Sequence, residues 1–466
     1  MSPEQRLTTT MQTFDTLQIG ESGNFSFGLS PRPVRCGFGL ELGRGSVYPE
    51  LNFTLPPMTI SEGTWGAVVA EYREIAEMIP RAAARLRLPG LMVEFELLPP
   101  MTEHPAWGAE ITALLRGALE KLHAESRIPC ALRVTPTDIR DMERPPLLRS
   151  GKAWEALQRS LEACAGAGAD VLSIESVGGK EVHDQALLYG DVHGVIFALG
   201  ILAPRDMEFL WNAIVGVARK HGIIAGGDSA CGFANTAMQL AGQGMLPEVL
   251  ASVVRAASAV RSLVAFSAGA VGPSKDCAYE GPVIKAITGA PIAMEGKSAT
   301  CAHFSPVGNV AAAVCDLWSN ESVQNVRLLS GSAPEAFLES LAYDCRVMNE
   351  ALRTGQGRAY RDLLVASDVG LSPQALVLSP DSTLRVARAI VGERTPYPAT
   401  CAAAREATSI VRDALRERRL ELPERELQWL GKIERALGDL PATEAEMIAS
   451  MAETYGRLYR PASYGL

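Results

Sequence analysis

From Gly90 onward, short continuous apolar runs alternate with longer stretches in which apolar residues recur every three to four positions. The short runs fall at residues 91–96, 130–136, 170–176, 194–201, 223–228, 262–267, 291–295 and 326–330. Each has the length and continuity of a strand buried on both faces. Helical spacing occupies 105–126, 152–167, 205–221, 246–260, 279–288 and 308–319, with a last stretch at 334–353. Switching between these two periods predicts βα units and a parallel sheet. Eight strands with intervening helices predict a closed α/β architecture, a (β/α)8 TIM barrel, over residues 90–355. An open doubly wound sheet is the alternative, but no glycine fingerprint marks the switch point it needs.

Residues 1–89 read differently. Residues 23–57 are rich in glycine, proline and aromatics, while Trp65, Val68, Val69, Tyr72, Ile75, Ala76 and Ile79 predict one amphipathic helix. This segment is expected to be an N-terminal cover on the barrel. Residues 356–466 are expected to form a C-terminal helical extension, with helices at 384–391, 401–418, 424–437 and 444–458. Pro373, Pro396, Pro398, Pro423 and Pro441 punctuate them. Covering the barrel, pairing two copies and receiving a partner are all open roles for this extension.

Composition narrows the function. Hydrophobic residues are 47% and charged residues 21% of 466, as in a globular protein with a large core. A net charge of -9 argues against nucleic-acid binding, which needs a basic face. No run reaches the ~20 apolar residues of a membrane span. The N-terminal MSPEQRLTTTMQ has no apolar signal core, so the cytoplasm is the expected compartment. The nine cysteines are odd in number and contain no CxxC pair. A disulfide scaffold and a zinc ribbon are thereby excluded, and any metal site must be assembled from distant segments.

Three such segments stand out. HGIIAGGDSACGFANTAM, His221 to Met238, runs from a strand into a turn carrying Asp228 and Cys231. Glu175 ends the run ADVLSIES, and Cys277 lies in the loop GPSKDCAYEG. The carboxyl ends of barrel strands face a common axis, so residues far apart in sequence converge there. One carboxylate and two thiolates suit zinc, and three protein ligands leave a fourth position open for a substrate oxygen. Against this stands the ordinary role of a lone cysteine as a small core residue. Cys301, with His303 two residues on, is a competing ligand, and Glu175 is also placed to cap a helix. Gly178-Gly179-Lys180 resembles a phosphate cradle but lacks the rest of a P-loop. Asp228, Glu94, Glu96, Asp276 and His303 are candidate proton donors, unranked by the sequence.

SIESVGGKE, GGDSACGFANTAM, GPSKDCAYEGP and VCDLWSNESVQN together resemble the zinc-containing methanol:corrinoid methyltransferases. The likeness runs over most of the chain from about residue 30. It implies a barrel with extra helices and a zinc ion on Glu175, Cys231 and Cys277. It also implies transfer of the methyl group of methanol to the cobalt of a separate corrinoid protein, in a complex that pairs two such units. The Asp-x-His at Asp191–His193 does not continue into a corrinoid-binding signature, so the corrinoid is expected on the partner and not on this chain. A methoxylated methyl donor, or a silent barrel that scaffolds the corrinoid protein, are the alternatives.

Overall fold

The computed structural model describes residues 14–55, 58–275, 279–297, 299, 304–323, 327–328 and 331–466. An antiparallel hairpin comes first, β1 (Leu29–Cys36) with β2 (Leu40–Arg44). A parallel sheet follows: β3 (Tyr48–Thr54), β4 (Leu91–Leu97), β5 (Cys130–Pro136), β6 (Val171–Ile174), β7 (Ile224–Asp228), β8 (Ala293–Glu295) and β9 (Leu317–Val323). Their order is β7-β6-β5-β4-β3-β9-β8, so the first and last staves pair directly. Residues 271–274 fill the gap between β7 and β8. Val271 and Gly272 donate their amides to the Ala225 and Gly226 carbonyls at 3.0 and 2.9 Å. On the other side Ser274 donates to Pro291 at 3.2 Å and bridges Ile292 in parallel. Pro273 has no amide to give, which keeps this eighth stave short. The α/β barrel expected from the periodicity is therefore the fold.

Helices α1 (Trp65–Leu86), α2 (Pro99–Glu103), α3 (Pro105–Ser126), α4 (Gly151–Gly166), α5 (Lys180–Tyr189), α6 (Val192–Phe197), α7 (Ala203–His221), α8 (Cys231–Gly242), α9 (Glu248–Ala268), α10 (Gly281–Thr288) and α11 (Gly308–Ala312) accompany the staves. The chain ends in α12 (Ala333–Arg353), α13 (Gly357–Asp368), α14 (Pro373–Leu378), α15 (Pro380–Val391), α16 (Pro396–Arg416), α17 (Glu424–Gly438) and α18 (Glu444–Tyr455). α9 is long and apolar enough to cross a membrane, but its whole apolar window is buried inside the protein. It packs against α7, α8 and α16.

Four expectations need correction. Residues 194–201 are helical, from α6 through a π-type turn at Ala198–Leu202 into α7. C-terminal helices bury this run from outside, with Gly200 close against Thr400 and Gly194 against Tyr455. A helix covered on all sides shows no polar face, and its sequence then looks like a buried strand. The same holds for 262–267, which is the end of α9, where Val249 through Phe266 are all buried. Residues 326–330 do not supply the last stave. Among the described residues Arg327–Leu328 pairs with Gly331–Ser332, and β9 is the stave; it begins inside the stretch 308–319 expected to be helical, where the helix ends at Ala312. Finally, residues 48–54 are not part of a cover; β3 is hydrogen-bonded between β4 and β9.

The hairpin explains the barrel's lower end. Gly37 has a φ of +50°, and a Cβ there would overlap the Cys130 carbonyl, so the hairpin tip fits only as glycine. Phe38 donates to that same carbonyl at 2.7 Å. Cys36, Leu40 and Leu42 pack with Met92, Ala131, Val171, Ala293 and Leu317, near the amino ends of five staves, in one buried cluster. Two residues further along each inward face the side chains turn polar: Glu94, Arg133, Ser173, Glu295 and Ser319, with Glu50 on β3, all of them buried. The barrel has an apolar floor and a polar upper half. Leu42→Ala is expected to destabilise the protein by about 2–5 kcal/mol, measured by urea denaturation, because the plug cannot collapse onto the removed volume.

Candidate active site at the barrel mouth

Glu175 follows the last residue of β6, and Cys231 opens α8 just after β7. β6 and β7 are paired in parallel, so the two lie at the same end of neighbouring staves. The Glu175 side chain is 34% exposed, while Cys231 is half-buried. The amides at a helix N-terminus favour negative charge beside Cys231.

The turn that carries Cys231 is held from several sides. Ser229 Oγ accepts the Cys231 amide at 3.0 Å, and Glu280 Oε1 accepts the Ala230 amide at 2.8 Å. Arg261, from α9, donates to the Ser229 carbonyl at 3.0 Å and to Asp228 Oδ1 at 2.8 Å. It also donates to Ser176 Oγ, next to Glu175. One buried guanidinium thus ties together the loops bearing both residues.

Asp228 is consequently an anchor. Its side chain is fully buried; Arg261 takes Oδ1, and Trp211 Nε1 donates to Oδ2 at 3.0 Å. With both oxygens held by the protein and no face toward the mouth, it does not fit the proton-donor role expected for it. Cys277, Asp276, Cys301 and His303 lie outside the described residues. Among the described residues no three His, Cys, Asp or Glu side chains form a complete metal site. Glu175 and Cys231 supply two of the donor types that zinc accepts, on adjacent staves.

The Gly-Gly of SIESVGGKE has a structural reason. Gly178 lies so close to Asp206 that any Cβ would overlap it, and Gly179 has a φ of +85°. Asp206 belongs to a buried group in which Arg140 bridges Asp138 and Asp206, each at 2.7 Å. Burial opposes the charge on Arg140, but the two carboxylates outweigh it and raise its pKa further. The Val177 amide donates to Asp138 at 3.1 Å, so the loop after Glu175 rests on this network and does not cradle a phosphate.

The chain matches the family model for the methanol-cobalamin methyltransferase B subunit over residues 11–465. It belongs to that family. A relative from Methanosarcina barkeri (strain Fusaro / DSM 804), a methanol–corrinoid protein co-methyltransferase, is 38% identical over 459 residues, spanning 97% of this chain and 99% of the relative. The methanol:cobalamin methyltransferase complex MtaBC from Methanosarcina barkeri contains a chain of similar structure. The TM-score is 0.93 at 37% identity, covering 97% of this chain and 99% of that one.

Two residues of this family member escaped the sequence reading. Arg133 pairs with Glu50 at 2.8 Å inside the barrel, both side chains fully buried. It also donates to the Pro273 and Ser274 carbonyls at 3.1 and 2.9 Å, clamping the short eighth stave. Lys275, one residue on, is 2% exposed and faces three carboxylates. For Arg133 the available signal was a charge inside an apolar run, CALRVTP; Lys275 lies in GPSKDCAYEG, but two of the carboxylates it meets, Glu94 and Glu96, interrupt the apolar run LMVEFEL in the same way. Such a charge must point to the barrel axis and must find a partner there. Arg133→Met is expected to cost about 3–5 kcal/mol, since it removes a buried counter-charge 2.8 Å from Glu50. Adding Glu50→Leu should recover only part of that loss, because the 273–274 carbonyls still lack their donor. Chemical denaturation of the single and double variants checks this, and full recovery would remove the clamp role.

Proposed function

We propose that Glu175, Cys231 and Cys277 hold one zinc ion, and that this enzyme passes the methyl group of methanol to the cobalt of a partner corrinoid protein. The observation that carries the reading is the near end-to-end match to methanol-cobalamin methyltransferases, together with Glu175 and Cys231 at the mouth of neighbouring staves. The partner supplies the corrinoid, and two such pairs associate.

The carbon–oxygen bond of methanol breaks as a carbon–cobalt bond forms. Cobalt(I) contributes the electron pair, and the oxygen leaves with its own pair and gains a proton. Hydroxide is a poor leaving group, so its charge must be offset while it departs. When bound, zinc supplies that Lewis acidity. The chain's own residues do the rest. Glu175 and Cys231 sit on loops whose neighbouring residues Ser176 and Ser229 are held by Arg261, so the backbone that carries them keeps its place. Below them the hairpin plug fills the lower end of the barrel. A fixed alcohol facing a docked cobalt gains up to ~7–11 kcal/mol from orientation alone. The mouth must stay open for this, and the partly exposed Glu175 and Glu96 lie at its rim.

About one zinc per chain is expected on metal analysis, with methyl transfer lost on chelation and restored by Zn2+. Cys231→Ala and Cys277→Ala should each lower zinc retention and activity by more than the roughly hundred-fold that loss of an outer partner costs. Methanol and methoxylated donors, assayed side by side with a purified corrinoid protein, identify the substrate. A Cys277→Ala chain with full zinc and full turnover would overturn the ligand set.

A further inference from the structure

One ammonium gathers the acidic side chains of the mouth. Lys275 Nζ lies 2.6 Å from Glu96, 3.3 Å from Glu175 and 3.4 Å from Glu94. These carboxylates come from β4 and from the loop after β6, and Lys275 directly follows the short stave clamped by Arg133. Glu94 is itself fully buried and accepts the Thr135 hydroxyl at 2.7 Å. Among the described residues Lys275 is the one ionic partner of Glu175.

Three carboxylates drawn this close repel one another, and burial raises the cost of each charge. A buried cation among them answers both effects. We propose that Lys275 is a positioning residue for the metal-binding carboxylate: its ammonium fixes the direction of Glu175 and offsets the negative charge of the mouth. The proposal rests on the zinc reading above and goes beyond it, because it assigns a role to a residue that is not a ligand. It acts as an outer partner of a ligating group, holding a flexible glutamate in a single orientation.

The test compares the full-length parent, K275M and K275R. Zn2+ and Co2+ affinities are measured by competition with a chromogenic chelator. The visible ligand-field absorption of the Co2+-loaded chains reports the geometry of the donors. K275M is expected to bind metal roughly ten- to hundred-fold more weakly, with an altered Co2+ spectrum. K275R, which keeps the charge, should regain most of the affinity. A K275M chain with the parent's affinity and spectrum overturns the proposal. Should K275M fail to fold, K275Q carries the same comparison, since its amide is neutral. A parent that takes up neither ion would sink the zinc reading instead. The metal-free chains then decide the role of Lys275. The melting-temperature losses of K275M and E175Q should combine to less than their sum if the two side chains hold each other. Strict additivity would overturn the contact.

Discussion

Charge inside a parallel barrel is the constraint from which the rest of this structure follows. Acidic side chains brought to the axis lose their water, at several kcal/mol per ion, unless the protein supplies a counter-charge. Arg133, Arg261 and Lys275 supply it here, all of them buried. Each reaches across segments. Arg133 joins β5 to β3 and to the 273–274 carbonyls, Arg261 joins the loops after β6 and β7, and Lys275 joins β4 to the loop after β6. Neutralising charge and fixing loops are therefore one operation, and the loops so fixed are those bearing Glu175 and Cys231.

The two ends of the barrel divide the work. At the lower end the hairpin fills the space with Cys36, Leu40 and Leu42, so stability there comes from packing. At the upper end the same inward faces carry Glu94, Arg133 and Ser173, and order comes from paired polar groups. Methanol is small and offers few contacts, so little binding energy is available to organise a site around it. A site rigid before the substrate arrives suits such a reaction, and buried guanidinium–carboxylate pairs are rigid by construction.

Much of the fold was legible in the chain. The strands at 91–97, 130–136 and 224–228 and most C-terminal helices follow from period and punctuation. Glu175 and Cys231 were also legible, because a polar residue just after an apolar strand marks the barrel mouth. Failures came where periodicity carries no information. Residues 194–201 are buried throughout and 262–267 nearly so, and only their neighbours make them helical. Tyr48–Thr54 and Leu317–Val323 are strands with Glu50, Asn52, Ser319 and Asn320 in them, so they lack a continuous apolar run. Asp228 looked chemically available in sequence; only the partners Arg261 and Trp211 reveal that it is occupied.

By itself the sequence determined the βα alternation, the family and the chemical types at the mouth, because these depend on local pattern and on residue identity. The tertiary structure alone decided which stretches close the ring and which charges face one another. Closure depends on hydrogen bonds such as those from Val271 and Ser274, made between segments distant in the chain. Pairing of Lys275 with Glu94, Glu96 and Glu175 depends on distances of a few ångströms between three segments. Electrostatic energy falls with separation in space and takes no account of separation along the chain.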